Sequence, residues 1–220
     1  SVVGNDAADL GCGNGHGGFV LAEELGAEVT AVDFCPAFID ELKARIRDAL
    51  RHDLYPILAY TNRQLEEMEP APAQEHLVEF WTRLAEEFQE FPYEVSYDVL
   101  VEVRGPYKED YETINQFYEA VYPAIREIDE HRLLFFSPVR RANSEYLKHL
   151  EVPGEDDPYT MVQWHNYAAG PFPDATKKKY WIDGSTIEER DYVYEIIDIA
   201  ERWREKTGYK LWVGEWMPGN

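Results

Sequence analysis

Two glutamates stand where short apolar runs end. Glu102 follows Tyr97–Val101, and Glu215 follows Leu211–Gly214. Two carboxyls held about 5–5.5 Å apart can split a glycosidic bond, one as nucleophile and one as acid and then base. A third run closes in Trp164-His165-Asn166-Tyr167, which puts an imidazole and a phenol where they can hydrogen-bond to a carboxylate. The chemistry asks that one of the two hold its proton, with a raised pKa, while the other stays ionised. A second constellation lies near the start. Asp9-Leu10-Gly11-Cys12-Gly13-Asn14-Gly15 precedes a helical pattern, and Val29-Thr30-Ala31-Val32 leads to Asp33. Backbone N–H groups of the Gly11, Gly13 and Gly15 turn can approach a nucleotide closely, and Asp33 can hold ribose hydroxyls.

The elements that must position these groups alternate. Candidate strands run over 7–10, 28–34, 54–60, 96–103, 133–137, 159–164 and 209–214. Between them, Phe38, Ile39, Leu42, Ile46 and Leu50 mark a helix over 36–51, with Pro36 at its first turn. Leu77, Phe80, Trp81, Leu84 and Phe88 mark a second helix, and Ile114, Phe117, Tyr118 and Val121 a third. Tyr146–Leu150 reads as a short helix, Ala168–Ser185 as a long loop, and Tyr192, Ile196, Ile199 and Trp203 as one face of the last helix. A further helix is expected over 18–25. About seven strands separated by helices predict an α/β protein with a parallel sheet or barrel. No linker composition interrupts the chain, so residues 1–220 read as a single α/β domain.

The 43 acidic and 21 basic residues leave a net charge of −22. That balance argues against nucleic acid, whose phosphates need Lys and Arg. No run reaches the roughly 20 apolar residues of a membrane span. Cys12 and Cys35 read as two free thiols, and no metal-ligand spacing appears. Localisation stays open.

From about residue 48 to 220 the chain resembles glycoside hydrolase family 5, the cellulase family. The likeness rests on Val101-Glu102-Val103, Trp164-His165-Asn166-Tyr167 and Trp212-Val213-Gly214-Glu215-Trp216. It extends to Leu54-Tyr55-Pro56-Ile57-Leu58-Ala59-Tyr60 and to Asp157-Pro158-Tyr159-Thr160-Met161-Val162. The resemblance implies a TIM-barrel-like (β/α) fold, with Glu102 as acid/base and Glu215 as nucleophile. It implies that His165 bonds near the acid/base and that Tyr167 steadies the nucleophile. It also implies that Asn62 lies after the third strand, and that Trp164, Trp181 and Trp216 can stack on sugar rings. A polysaccharide substrate, no cofactor and secretion follow from the family.

Over about residues 6–47 the chain resembles class I S-adenosylmethionine-dependent methyltransferases, on Gly11, Gly13, Gly15 and Asp33. The split likeness suggests a chimera joined in the helix before the third strand. It leaves the barrel incomplete, with about seven strands against eight and a sheet edge that invites self-association. Two departures from the cellulase pattern stand out. Val101 occupies the place of the family's Asn before the acid, and Asp33-Phe34 the region of its Arg after the second strand. Three functions follow as rivals: a retaining endo-β-1,4-glucanase, a methyltransferase using S-adenosylmethionine, and an inert recombined scaffold.

Overall fold

The computed structural model describes residues 6–8, 28–30, 36–61, 63–167 and 187–216. The glycine turn with Gly11, Gly13 and Gly15, together with Asp33, Asn62, Trp181 and the helix expected over 18–25, lies outside them. The chain divides into two compact units, Ser1–Asp98 with Ala120–Arg132, and Val99–Glu119 with Leu133–Asn220.

In the first unit, β1 (Asp6–Ala8) and β2 (Glu28–Thr30) pair in parallel, Ala7 opposite Val29. Helix α1 (Pro36–Arg51) buries Ile39 and Ile46. After β3 (Ile57–Ala59) come α2 (Arg63–Glu67), α3 (Pro70–Phe88) and β4 (Ser96–Asp98). Strands β3 and β4 are parallel, with Leu58 opposite Tyr97. Helix α3 starts seven residues before its first strong apolar marker, because Pro70 suits a first turn whose N–H would go unbonded. Ala73, Leu77, Trp81, Leu84, Ala85 and Phe88 form its buried stripe, at the three-and-four spacing of one helix face.

One buried cation ties this unit together. Arg132 is 3% exposed and donates to the carbonyls of Pro92, Val95, Phe91 and Phe88 at 2.6, 2.9, 2.9 and 3.3 Å. Its Nε donates to Asp129 Oδ2 at 2.8 Å. The planar guanidinium thus closes the exit of α3 and neutralises its own charge locally.

In the second unit, α4 (Tyr111–Arg126) supplies its first turns, and Tyr118 donates to the Ser137 carbonyl at 2.8 Å. Strands β5 (Leu134–Phe136), β6 (Thr160–Asn166) and β7 (Lys210–Trp216) are parallel and adjacent in that order. Helix α5 (Ile187–Thr207) lies between β6 and β7 in the chain. Leu147, Val162, Trp164, Ile196 and Ala200 form one core cluster, flanked by Val193, Ile199, Trp203 and Leu211. Successive strand residues face opposite sides, so Val162 and Trp164 enter this cluster while Gln163 and His165 share the other face. The segment expected to be a helix at Tyr146–Leu150 is a 3₁₀ turn over Ser144–His149. Asn143 accepts a bond from the Glu145 N–H at its start.

Candidate active site

Strand β4 is shorter than the apolar run suggested: its ladder ends at Asp98. The chain stays extended beyond it, and the Val99 N–H donates to the Phe135 carbonyl at 3.1 Å. At Glu102 the backbone turns into the left-handed region, φ 50°. That conformation is uncommon for a residue with a β-carbon and is found preferentially at functional turns. Glu102 leaves only 16% of its side chain exposed, and its Oε1 lies 3.0 Å from His165 Nδ1. The guanidinium of Arg104 is 3.6 Å from its other oxygen.

His165 sits on β6 with 1% of its side chain exposed. Its Nδ1 is also 3.6 Å from Glu215 Oε2, so one imidazole nitrogen faces both carboxylates. An ionised carboxylate only accepts, which assigns the proton to Nδ1. The Tyr167 hydroxyl donates to that same Glu215 oxygen. One oxygen or nitrogen from each of Glu102, His165 and Glu215 lies within 4.8 Å of the others.

A fault in the β6–β7 ladder aims Glu215. Gln163 pairs with Trp212 and Trp164 with Val213, but His165 pairs with Glu215, so Gly214 is skipped. A regular ladder would set Gly214 opposite His165 and turn Glu215 toward the face of Trp164. The bulge adds one residue and moves Glu215 to the face of His165. Gly214 also lies against Gln163, where a β-carbon would fall 2.1 Å from Oε1.

A second strained turn borders the site. After β5, Arg140, Arg141 and Ala142 take φ 59°, 59° and 56°. Each costs about 1–2 kcal/mol for a residue with a β-carbon. The turn brings Asn143 into a parallel bridge with His165. Arg140 pairs with Glu109 at 2.8 Å and donates to the Tyr146 hydroxyl at 3.1 Å.

The electrostatics correct one expectation. Burial alone would push the Glu102 carboxyl up, but the His165 hydrogen bond and the charges of His165, Arg141 and Arg104 together hold it below the usual carboxylate value. Glu102 therefore rests ionised instead of carrying the raised pKa that its acid role suggested. The Tyr167 phenol is pushed up to about 12, first by its bond to Glu215, then by burial and the negative charges of Glu215 and Glu102. Glu102, His165 and Glu215 have the ligand types for a cation, yet Arg104 and Arg141 already supply positive charge to Glu102.

The other expected residues divide. Trp164 is 4% exposed within the core cluster, so it offers no ring face to a sugar, contrary to the expectation. Its position one residue before His165 fixes this, because strand alternation sends the two opposite ways. Trp216 is 69% exposed at the end of β7, one residue past Glu215. Sequence reasoning missed Arg104, Arg141 and the Gly214–Gln163 contact. The glycine just before Glu215 was the readable signal for the last of these.

A family model described as cellulase (glycosyl hydrolase family 5) matches residues 21–220. Among solved structures, an endoglucanase superposes with a TM-score of 0.71 at 19% identity, covering 83% of this chain and 60% of that one. The cellulose synthase subunit Z of Clostridioides difficile gives 0.72 at 21%, covering 85% and 64%. Cel5A of Thermotoga maritima, in complex with cellobiose, gives 0.75 at 20%, covering 98% and 78%. The chain spans 60% and 64% of the first two of these structures. No curated protein matches the sequence. The shared fold is an incomplete TIM-barrel-like α/β arrangement of parallel strands with helices. The family match begins at residue 21, upstream of the join expected near residue 48, and Cel5A covers nearly the whole chain. The methyltransferase-like segment and the chimera are therefore without support. Among the described residues, no helix is long and apolar enough to cross a membrane.

Proposed function

The chain belongs to the cellulases of glycosyl hydrolase family 5, and on that footing we propose that it hydrolyses a β-1,4-linked glucan with retention of anomeric configuration. The observation that carries the reading is the approach of Glu102, His165 and Glu215 atoms to within 4.8 Å of one another. That spacing suits a carboxyl pair acting on one anomeric carbon with no room for an intervening nucleophilic water. Family 5 cellulases work without a cofactor, and the side chains described are sufficient for the two steps.

In the first step Glu215 attacks the anomeric carbon while Glu102, protonated, gives its proton to the leaving oxygen. The C–O bond to the leaving sugar breaks as the bond to Glu215 forms. In the second step Glu102, now ionised, takes a proton from water, whose oxygen displaces Glu215. Tyr167 holds the Glu215 oxygen that does not attack, and His165 Nδ1–H steadies Glu102 between the two protonation events. Trp216, exposed one residue past Glu215, pairs with Asn166 and so takes the opposite face of β7, which leaves it outside this reading. The solved Cel5A complex with cellobiose fits the same substrate class.

Hydrolysis of a soluble cellulose derivative tests the reading. The unaltered chain should release reducing sugar, and Glu215→Ala should lower the rate by several orders of magnitude. Equal rates for the two would remove Glu215 from the mechanism.

A further inference from the structure

One buried hydroxyl that the mechanism does not use holds two stretches of backbone that lead to the candidate site. Tyr118, on α4, is 1% exposed. Its hydroxyl accepts from the Ser137 N–H at 3.3 Å and donates to the Ser137 carbonyl at 2.8 Å. The Leu100 carbonyl lies 3.4 Å from the same oxygen, a longer and weaker acceptor for that proton. Ser137 and Leu100 are both buried, so their backbone groups take their partners from the protein. The Phe136 ring meets the Tyr118 ring edge-on, with centroids 5.0 Å apart, and fixes the direction of the phenol.

Each held residue leads into left-handed backbone. Leu100 stands two residues before Glu102, whose φ is 50°. Ser137 stands three residues before Arg140, where the turn through Arg141 and Ala142 begins. That turn delivers Asn143 to its bridge with His165. The two partners of the Glu102–His165 hydrogen bond, 3.0 Å apart, are thus both tied to backbone that one phenol grips. Such conformations persist only where the surroundings enforce them. Two residues span at most about 7 Å, so slack at Leu100 passes almost undiminished to Glu102.

We propose that Tyr118 is a positioning residue for the acid step. It fixes where the Glu102 turn and the turn toward His165 begin, and so the point from which Glu102 hands its proton to the leaving oxygen. The inference rests on the glycoside hydrolase reading of the site and adds to it a buried residue that acts only through others. Proton transfer needs donor and acceptor within hydrogen-bond reach, and a misplacement of about 1 Å can cost on the order of 100-fold.

The test compares two leaving groups in the full chain carrying Tyr118→Phe, which keeps the ring and removes only the hydroxyl. A cello-oligosaccharide departs as an alkoxide and needs the proton. Dinitrophenyl β-cellobioside departs as a stable phenolate and does not. The quantity read is kcat/KM, which reports the step in which the leaving group departs. Tyr118→Phe should lower it about tenfold for the oligosaccharide and less than about twofold for the activated glycoside. Glu102→Ala sets the full size of that selectivity. Equal losses on both substrates mark general damage and overturn the proposal, and so does no loss on either. Thermal unfolding shows whether Tyr118→Phe is folded. If it is not, Phe136→Leu, which frees the ring and keeps the hydroxyl, must show the same selective loss, and equal losses there overturn the proposal. An unaltered chain that hydrolyses neither substrate removes the glucanase reading and this inference with it. An unaltered chain active on both, with no selective loss in the variant, removes this inference alone.

Discussion

Gly214 lies so close to Gln163 that a β-carbon on it would stand 2.1 Å from the Gln163 Oε1 and 2.3 Å from its Cδ. Glu215 follows directly and owes its aim to the skipped pairing at Gly214. Gly214→Ala should therefore destabilise the second unit by about 1–3 kcal/mol, the usual cost of an overpacked interior contact. It should also lower activity by more than that loss of stability explains. Pairing it with Gln163→Ala removes the obstructing side chain and should restore most of both. Denaturant unfolding and initial rates measured on the two single variants and the double variant check this. A double variant no better than Gly214→Ala alone would show that the contact is not the constraint.

Tyr167 and Glu215 share one hydrogen bond that the phenol donates. A bond to a charged group contributes about 1.5–3 kcal/mol, so Tyr167→Phe should reduce kcat/KM about 10- to 100-fold with little change in fold. The phenol value near 12 lies above its ordinary 10. A group whose folded value is raised contributes stability that is complete below the unfolded value and is lost as pH rises through the folded one. The bond should hold through pH 10 and fail toward pH 12, seen as a late ultraviolet titration that is lost in Tyr167→Phe, which separates it from Tyr97, Tyr192 and Tyr209, whose phenols are raised chiefly by burial.

Glu102 moves the other way. Its carboxyl is held below the ordinary value, burial opposing and His165, Arg141 and Arg104 winning. The stability from that pairing is present above the unfolded value, about 4.5, and is lost as pH falls through the folded one. Because the first step needs the protonated form, kcat/KM should favour acidic solution and decline as pH rises. His165→Gln takes away the Nδ1–H donor and leaves burial less opposed, so the Glu102 carboxyl should titrate at higher pH. Carbon-13 NMR of labelled glutamate reads this directly. An unmoved resonance midpoint would dismiss the pairing as the cause.

Arg132 is a buried charge on which the packing of the first unit depends. Three of its five bonds are buried and two part-buried, and removing the guanidinium takes their donor from four carbonyls and from Asp129 Oδ2. Arg132→Met should cost about 3–5 kcal/mol in denaturant unfolding, and Arg132→Lys should recover only part of it. A Met variant as stable as the parent would refute the account.

Much of the fold was readable because burial writes itself as period. The seven strands among the described residues all fall on apolar runs visible in the sequence, and Leu77, Trp81 and Phe88 announced α3. What misled was the assumption that an apolar run equals a paired strand. Tyr97, Val99 and Leu100 are all buried, yet the ladder stops at Asp98 and the following residues lead into the turn at Glu102. The same ambiguity let Trp164 pass as a sugar platform, since aromatic character does not reveal which face of a strand a residue takes. Only the parity with His165 does. Glu102, His165, Tyr167 and Glu215 could be named together from their strand-end positions and the family resemblance, and the structure brings the four side chains into contact. Arg141 could not, because nothing in Pro-Val-Arg-Arg-Ala signals left-handed backbone.

The bulge at Gly214 has a consequence for how this strand can vary over evolutionary time. Substitutions along Lys210–Val213 change size or charge locally and leave the count intact. Deleting or inserting one residue between Leu211 and Glu215 would reverse which side of the sheet the carboxylate addresses, whatever the replacement chemistry. Length, more than composition, is what this stretch has to conserve.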